Sequence, residues 1–263
     1  MVAGRPAELF LVDDHIVWSS HSFTGARTSR PNCALLIGAY RPLAVTIEGQ
    51  ALRTRAVLVG PNVVRDVVAD EAGFYSLTLD PAHPACRHLR DTVLAGRPCL
   101  DLDARLDPAS VAHVRESLER DTDCAHCRAG ADRLLALFFP GVAAATPIDP
   151  RIARVAAWLR REVPTRADLK TLGALCHLSA GRLTHLFTQE LGVSIRSYLR
   201  WTKMSRAIEL LSGERTVAEV AATIGFADSA HFCRVLRDYY AVVPSFVSDA
   251  SRVRVHSCGY DGG

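Results

Sequence analysis

The sequence contains no long uninterrupted hydrophobic run. Its most apolar stretch, LLALFFPGVAAA from Leu134, is broken by Pro140 and Gly141 and is too short to span a bilayer. No basic segment followed by an apolar run stands near the N-terminus, which predicts that the chain has no secretory signal. We therefore expect a cytoplasmic protein without a membrane partner.

The cysteines show no even framework of spacings. Eight of them lie at positions 33, 86, 99, 124, 127, 176, 233 and 258. The chain has 263 residues, of which 49% are hydrophobic, so it can bury a core in each of two domains without disulfide bonds. The cysteines are therefore predicted to be reduced thiols.

Two kinds of enzyme site are also missing. A metal-dependent barrel enzyme needs histidines and a carboxylate clustered on adjacent strands, but His15 and His21 are isolated and Glu48 has no histidine near it in sequence. A four-cysteine site near the N-terminus with a methyltransferase motif, as in a DNA-repair regulator, is absent as well. The sequence predicts that the chain is not an enzyme.

The N-terminal part has the pattern of a β domain followed by helices. Six short apolar or alternating runs lie between residues 8 and 80, namely ELFLVDD, CALLIGAY, LAVTIEG, AVLVG, VVRDVV and FYSLTLD. From Pro108 the apolar positions Val111, Val114 and Leu118 follow a helical period, and the block LLALFF comes later. We predict a β-barrel effector-sensing domain over 1–107 and a helical dimerisation segment over 108–139. The alternative for these helices is that they cover the barrel of their own subunit.

The segment 140–148 lacks periodicity and is rich in proline, so it is predicted to be a linker. Asp149 and Pro150 then provide an N-cap and a first helical residue for a new domain. Residues 1–148 carry 15 Lys/Arg and 17 Asp/Glu, a net charge of −2, whereas residues 149–263 carry 16 and 11, a net charge of +5. The basic half indicates a polyanionic partner.

The basic half contains an internal repeat. Residues 172–195 and 220–244 align with one inserted residue, and each copy has the pattern of a short helix, a turn and a second helix. The second copy opens with TVAE, a capping box between Thr216 and Glu219. One long helix is predicted between the copies. We assign 149–250 to this all-helical domain and 251–263 to a flexible tail.

The second helix of each copy begins at a capping residue, Ser179 or Asp228, and has one apolar side. Its opposite side is short and polar near the N-terminus and basic further along. A helix of this kind can approach base edges in the major groove, while arginines and the helix N-terminus contact phosphates. The residues concerned are Gly181, Arg182, Thr184, His185 and Thr188 in the first copy and Ser229, Ala230, Cys233, Arg234 and Arg237 in the second.

The segment GFADSAHFCRVLRDYYAVVP resembles the signature of AraC/XylS-type transcriptional regulators, and LSAGRLTHLFTQELGVSIRSYL is similar to the first helix-turn-helix unit of that family. The resemblance covers roughly residues 150–248. It implies that the two recognition helices enter successive major grooves, with Gly181, Thr184, His185, Ser229, Ala230 and Arg234 reading bases. Arg182, Thr188 and Arg237 would contact phosphates. The sequence departs from the family pattern at Ile195, where proline is usual, and at Ala241, where glycine is usual.

The resemblance also implies a role for the N-terminal half, which is expected to be a cupin-like barrel that binds an effector. The motif DCAHC places Cys124 and Cys127 at a spacing that suits a soft metal or a reversible disulfide, with unreactive thiols as the alternative. No other cofactor is expected.

Together these features predict an α+β protein with an N-terminal β-barrel and an all-α double helix-turn-helix domain. Its expected function is that of an effector-controlled transcription regulator, an activator, that binds double-stranded DNA. The expected partners are RNA polymerase, a small-molecule or metal effector, and a second copy of the chain. The alternative is a cupin-like enzyme or small-molecule-binding protein with an accessory helical module.

Overall fold

The protein is described by a computed structural model that covers residues 5–120, 122–144 and 147–259. The α+β class expected from the sequence is confirmed. The strands are β1 Ala7–Val12, β2 His15–Ser20, β3 Phe23–Thr28, β4 Ala34–Gly38, β5 Leu43–Ile47, β6 Gln50–Thr54, β7 Ala56–Val59, β8 Arg65–Ala69, β9 Phe74–Leu79, β10 Cys99–Asp101 and β11 Val253–Cys258. The helices are α1 Pro84–His88, α2 Pro108–Glu119, α3 Cys124–Phe138, α4 Pro150–Glu162, α5 Leu169–Cys176, α6 Ala180–Leu191, α7 Ile195–Leu211, α8 Val217–Thr223, α9 Ser229–Tyr240 and α10 Pro244–Val247.

The strands form two sheets and not one closed barrel. The larger sheet has the order β10-β7-β4-β9-β2-β1-β11, and the smaller one has the order β3-β8-β5-β6. Along β1, Leu9 belongs to the apolar cluster shared with the smaller sheet, while the next residue, Phe10, belongs to the cluster shared with the helices. Because neighbouring side chains on a strand point to opposite faces, the larger sheet is covered on both sides.

Helices α2 and α3 pack on the larger sheet of their own chain. Val114, Leu118, Leu134 and Phe138 are buried in one cluster with sheet residues such as Tyr75. Most of the apolar positions predicted over 108–139 are therefore buried within the chain, whereas Val111 is half-buried. Leu137 is an exception, since it is exposed on α3.

The C-terminal part contains seven helices among the residues that the structure describes. Asp149 caps α4 by accepting a hydrogen bond from the Arg151 backbone N–H at 2.8 Å, and Pro150 is its first residue, as predicted. The predicted capping box of α8 is also present, with Glu219 accepting from the Thr216 backbone N–H at 2.8 Å. The first helix-turn-helix unit has its own apolar core, built on α4 to α7.

The C-terminal end is not a flexible tail, and this part of the domain prediction is wrong. Strand β11 pairs in parallel with β1, from Ala7 opposite Val253 to Val12 opposite Cys258. Cys258 also forms a disulfide with Cys124 at the start of α3, so the expectation that the cysteines are all reduced is wrong as well. The end of the helical C-terminal half therefore belongs to the N-terminal sheet.

Polar contacts between side chains also join the two halves. The buried carboxylate of Asp80, after β9, accepts a hydrogen bond from the Tyr198 hydroxyl at 3.0 Å and lies 3.6 Å from the Arg160 guanidinium. Arg87 donates to Glu190 on α6 at 2.6 Å. Of the helices in the described ranges, none is long and apolar enough to cross a membrane.

Candidate DNA-binding site

Each unit of the C-terminal half presents one helix after a short turn. In the first unit α5 ends at His177 in the left-handed conformation, and Ser179 caps α6 by accepting from the Arg182 backbone N–H at 3.4 Å. In the second unit Asp228 caps α9 by accepting from the His231 backbone N–H at 2.6 Å. The caps fix where each recognition helix starts, and so which residues of its first turn face outward.

The buried side of each recognition helix holds it against its unit. Leu183 and Phe187 anchor α6, while Phe232 and Leu236 anchor α9, and all four are fully buried. The other side of α6 is open, because all five residues predicted to contact DNA on it are exposed, namely Gly181, Arg182, Thr184, His185 and Thr188. A Cβ placed on Gly181 would meet no atom within 4 Å, so no residue in the described part of the chain covers this point.

The predicted face of α9 is only partly open. Ala230, Arg234 and Arg237 are exposed, but Ser229 and Cys233 are half-buried. Cys233 packs against the apolar cluster that includes Phe232. The geometry therefore favours Ala230, Arg234 and Arg237 for contacts with DNA and gives Cys233 a packing position beside them.

A basic groove beside α9 was not identified from the sequence. It has a volume of about 650 Å³, and Arg166, Arg196, Arg200 and Lys203 line it together with residues of the α8–α9 turn. Arg196 and Arg200 are four residues apart on α7, so they lie on the same helical face, and both are exposed. The i, i+4 spacing of these arginines in the sequence could have predicted this basic face. It indicates further phosphate contacts next to the second recognition helix.

The predicted metal or redox pair is not assembled. Cys124 is bonded to Cys258. Cys127 lies on the buried side of α3, where burial raises the pKa of its thiol to about 12. Such a thiol stays protonated and is a poor metal ligand. The assignment of Cys124 and Cys127 to one metal site is therefore wrong. The sulfur of Cys124 is bonded to Cys258 on β11, and that of Cys127 is buried in the core.

Two helix-turn-helix units with exposed, polar recognition helices are typical of a DNA-binding domain. A family model described as a helix-turn-helix domain matches residues 172–249. The chain is 32% identical over 101 residues to the arabinose operon regulatory protein of Escherichia coli K12, covering 38% of this chain and 35% of that protein. It is 39% identical over 70 residues to the transcriptional activator RhaR of Pectobacterium atrosepticum, covering 26% of this chain and 25% of that one.

Likeness of the whole fold extends to ToxT from Vibrio cholerae. A crystal structure of ToxT with a bound unsaturated fatty acid superposes with a TM-score of 0.54 at 13% sequence identity, covering 88% of this chain and 92% of ToxT. The curated sequence relatives are matched over about a third of their own length or less. Over residues 172–249 the chain is therefore similar to the helix-turn-helix domains of transcription regulators, among them the arabinose operon regulatory protein.

Proposed function

We propose that the protein activates transcription by binding double-stranded DNA through α6 and α9, under the control of a small acidic molecule bound in the N-terminal domain. The observation that carries the DNA-binding role is the pair of capped recognition helices with exposed polar faces, next to the basic groove on α7. The relatives reported above are themselves named as regulators.

The test measures binding of the full chain to DNA fragments at several salt concentrations. Each phosphate that the protein neutralises is expected to add about 0.9 to the slope of log affinity against log salt. Arg234→Ala should weaken specific sites by about 1–3 kcal/mol and relax base preference, whereas Arg237→Ala should weaken all sequences evenly and reduce the slope by about 1. Arg41→Ala, on a largely exposed arginine beside Glu71 in the N-terminal domain, is the matched control. Salt-insensitive binding would contradict the proposal.

The effector proposal depends on two buried arginines. Arg65, the first residue of β8, is 1% exposed, and both terminal nitrogens of its guanidinium lack a hydrogen-bond partner within the described part of the chain. Arg30 is 9% exposed, donates to the Thr78 hydroxyl at 3.2 Å, and has an unpartnered Nε. Burial lowers the pKa of both groups, and the charge of Arg30 lowers the pKa of Arg65 further.

A buried cation without a counter-charge is strongly unfavourable, and guanidinium groups bind carboxylates well. Arg30 also lines a small cavity of about 20 Å³ with Trp18, Phe23 and Phe74, and its guanidinium lies 5.3 Å from the ring centre of Tyr240 at the end of α9. A carboxylic acid with an aromatic or apolar body would satisfy the arginines and fit this lining. Since Tyr240 lines this small cavity and is the last residue of α9, a ligand of this size would displace α9. The fatty acid bound by ToxT supports the same chemical class.

Benzoate and benzamide provide a direct test, because they share a shape and differ in charge. Benzoate at tenfold excess over its Kd should raise the Tm of the full chain by roughly 3–5 °C, and benzamide should not. Arg65→Met should abolish this response and raise the Tm of the ligand-free protein, because it removes an unpaired buried charge. Arg41→Met is the exposed control. If benzoate does not raise the Tm of the parent protein and Arg65→Met has a lower Tm than the parent, the effector proposal is contradicted and the DNA-binding proposal is left intact.

We further propose a homodimer, a contact with RNA polymerase and a cytoplasmic location. The dimer would present four recognition helices to a repeated site. The outer faces of α2 and α3 are the surfaces left for it, since their inner faces cover the sheet. Sedimentation of the full chain at tens of micromolar tests this, and a monomer with and without DNA would contradict it.

A further inference from the structure

A cluster of three potential metal ligands lies between α2 and α3. It consists of His113 and Glu116 on α2 and His126 on α3, whose ligand atoms all lie within 4.8 Å of one another. Because His113 and Glu116 are three residues apart on one helix, their side chains share a face. The hydrogen bond from the His126 backbone N–H to Asp123 at 2.7 Å fixes the first turn of α3, which carries the third residue.

The approach of the two helices depends on a glycine. A Cβ at Gly130 of α3 would collide with the imidazole of His113, so only a residue without a side chain lets this ring reach α3. The two imidazole rings lie 5.6 Å apart between centres and are inclined by 21°. Gly130 therefore makes the room in which His113 and His126 face each other.

One ring nitrogen of the cluster is left without a partner. His126 Nε2 is buried and has no hydrogen-bond partner in the part of the chain that the structure describes. Burial lowers the pKa of His113, and the neighbouring His126 and Arg133 lower it further.

We propose that His113, Glu116 and His126 bind a divalent transition-metal ion of the zinc type. Two imidazoles and one carboxylate are a common protein ligand set for Zn²⁺, with the fourth position left to water. Bonds of about 2.0–2.1 Å to each ligand require the three atoms, which lie within 4.8 Å of one another, to approach to roughly 3.3 Å. Glu116 pairs with Arg120 through one oxygen at 2.8 Å, and its second oxygen is a separate acceptor for the metal.

The ion would connect α2 to the start of α3, one turn from the disulfide that fixes β11. Metal binding would thereby stabilise the helical layer on the larger sheet. This inference does not depend on the proposed effector or on DNA binding.

Cobalt is the probe that identifies the ligands. The full chain is first treated with EDTA and then titrated with Co²⁺ and with Zn²⁺. We expect the visible absorption of four-coordinate Co²⁺ without the near-ultraviolet sulfur-to-cobalt band that a cysteine ligand would add. Zn²⁺ at a hundredfold excess over its Kd should raise the Tm by roughly 5–10 °C.

Three variants and one control assign the site. His126→Asn, His113→Asn and Glu116→Gln should each lower metal affinity by at least roughly tenfold. His177→Asn, at an exposed histidine on the C-cap of α5, should leave it unchanged. If the change at buried His113 destabilises the protein, metal affinity can still be measured on Glu116→Gln, which should remain folded. Absence of binding in the parent protein, a sulfur-to-cobalt band, or full affinity in Glu116→Gln and His126→Asn would overturn the proposal.

Discussion

The disulfide between Cys124 and Cys258 should contribute more to stability than any other single contact of the C-terminal strand. It closes a loop of 134 residues. In the chain-entropy model, a loop of this length lowers the entropy of the unfolded chain by an amount equivalent to about 5 kcal/mol at 25 °C. Native contacts of β11 with β1 persist after reduction, among them the His256 ring stacked 4.3 Å from Phe10. We therefore expect Cys258→Ser to lower the free energy of unfolding by about 3–5 kcal/mol without unfolding the protein.

Urea unfolding with and without dithiothreitol measures this effect. The parent protein should lose stability on reduction, Cys258→Ser should show the lower value under both conditions, and Cys99→Ser, at a free cysteine, should behave as the parent does. Thiol titration of the unreduced, denatured chain should find the six free cysteines and not all eight. Eight reactive thiols, or a urea midpoint that does not respond to reductant, would refute the reasoning.

Two further predictions concern helix ends. Ala241 follows the last residue of α9 with φ at 58°, a left-handed conformation that costs a residue with a Cβ about 1–2 kcal/mol. Glycine avoids this cost but loses more backbone entropy on folding. Ala241→Gly should therefore raise the free energy of unfolding by about 0.5–1 kcal/mol. Gly192→Ala, at the equivalent position of α6 with φ at 71°, should lower it in the same urea assay. Hydrogen bonds from Thr216 hold the pKa of Glu219 below its ordinary value of 4.5, so this group stabilises the fold above pH 4.5 and loses that effect as the pH falls through its folded pKa. Glu219→Gln should flatten this part of the stability profile, and an unchanged acid slope would contradict it.

The helical half was predictable because its signals are local. The caps at Asp149, Ser179, Thr216 and Asp228 each depend on residues within one turn, and the structure contains all four. Ala241 was identified as a departure from the usual glycine, and its positive φ gives that departure a physical meaning.

The β half was predicted less well because its elements depend on distant partners. Strand β3, FTGART, has exposed polar residues and a glycine, so it lacks the apolar alternation that indicates a strand. Strand β11 lies at the end of the chain and is stabilised by β1, whose residues precede it by almost the whole sequence. The cluster of His113, Glu116 and His126 arises from the packing of two helices around Gly130, and no spacing in the sequence specifies that packing.

The two recognition helices are attached to the N-terminal domain in different ways, and this difference decides which of them an effector can influence. Helix α6 belongs to a unit with a separate apolar core. Its Glu190 forms an ion pair with Arg87 of the N-terminal domain. The unit of α9 instead shares one continuous apolar cluster with the two sheets, and the Asp238 carbonyl accepts a hydrogen bond from the Ser29 backbone N–H at 3.0 Å.

Tyr240, the last residue of α9, extends this connection, because it lines the same cavity as Arg30. A ligand shifts an equilibrium only through contacts that differ between the two states. The proposed acid, bound at Arg30, would change the contacts of Tyr240 directly, whereas none of the described residues that line the cavity belongs to α6. The effector should therefore act on the position of α9, and α6 should serve as the constant half of the DNA contact.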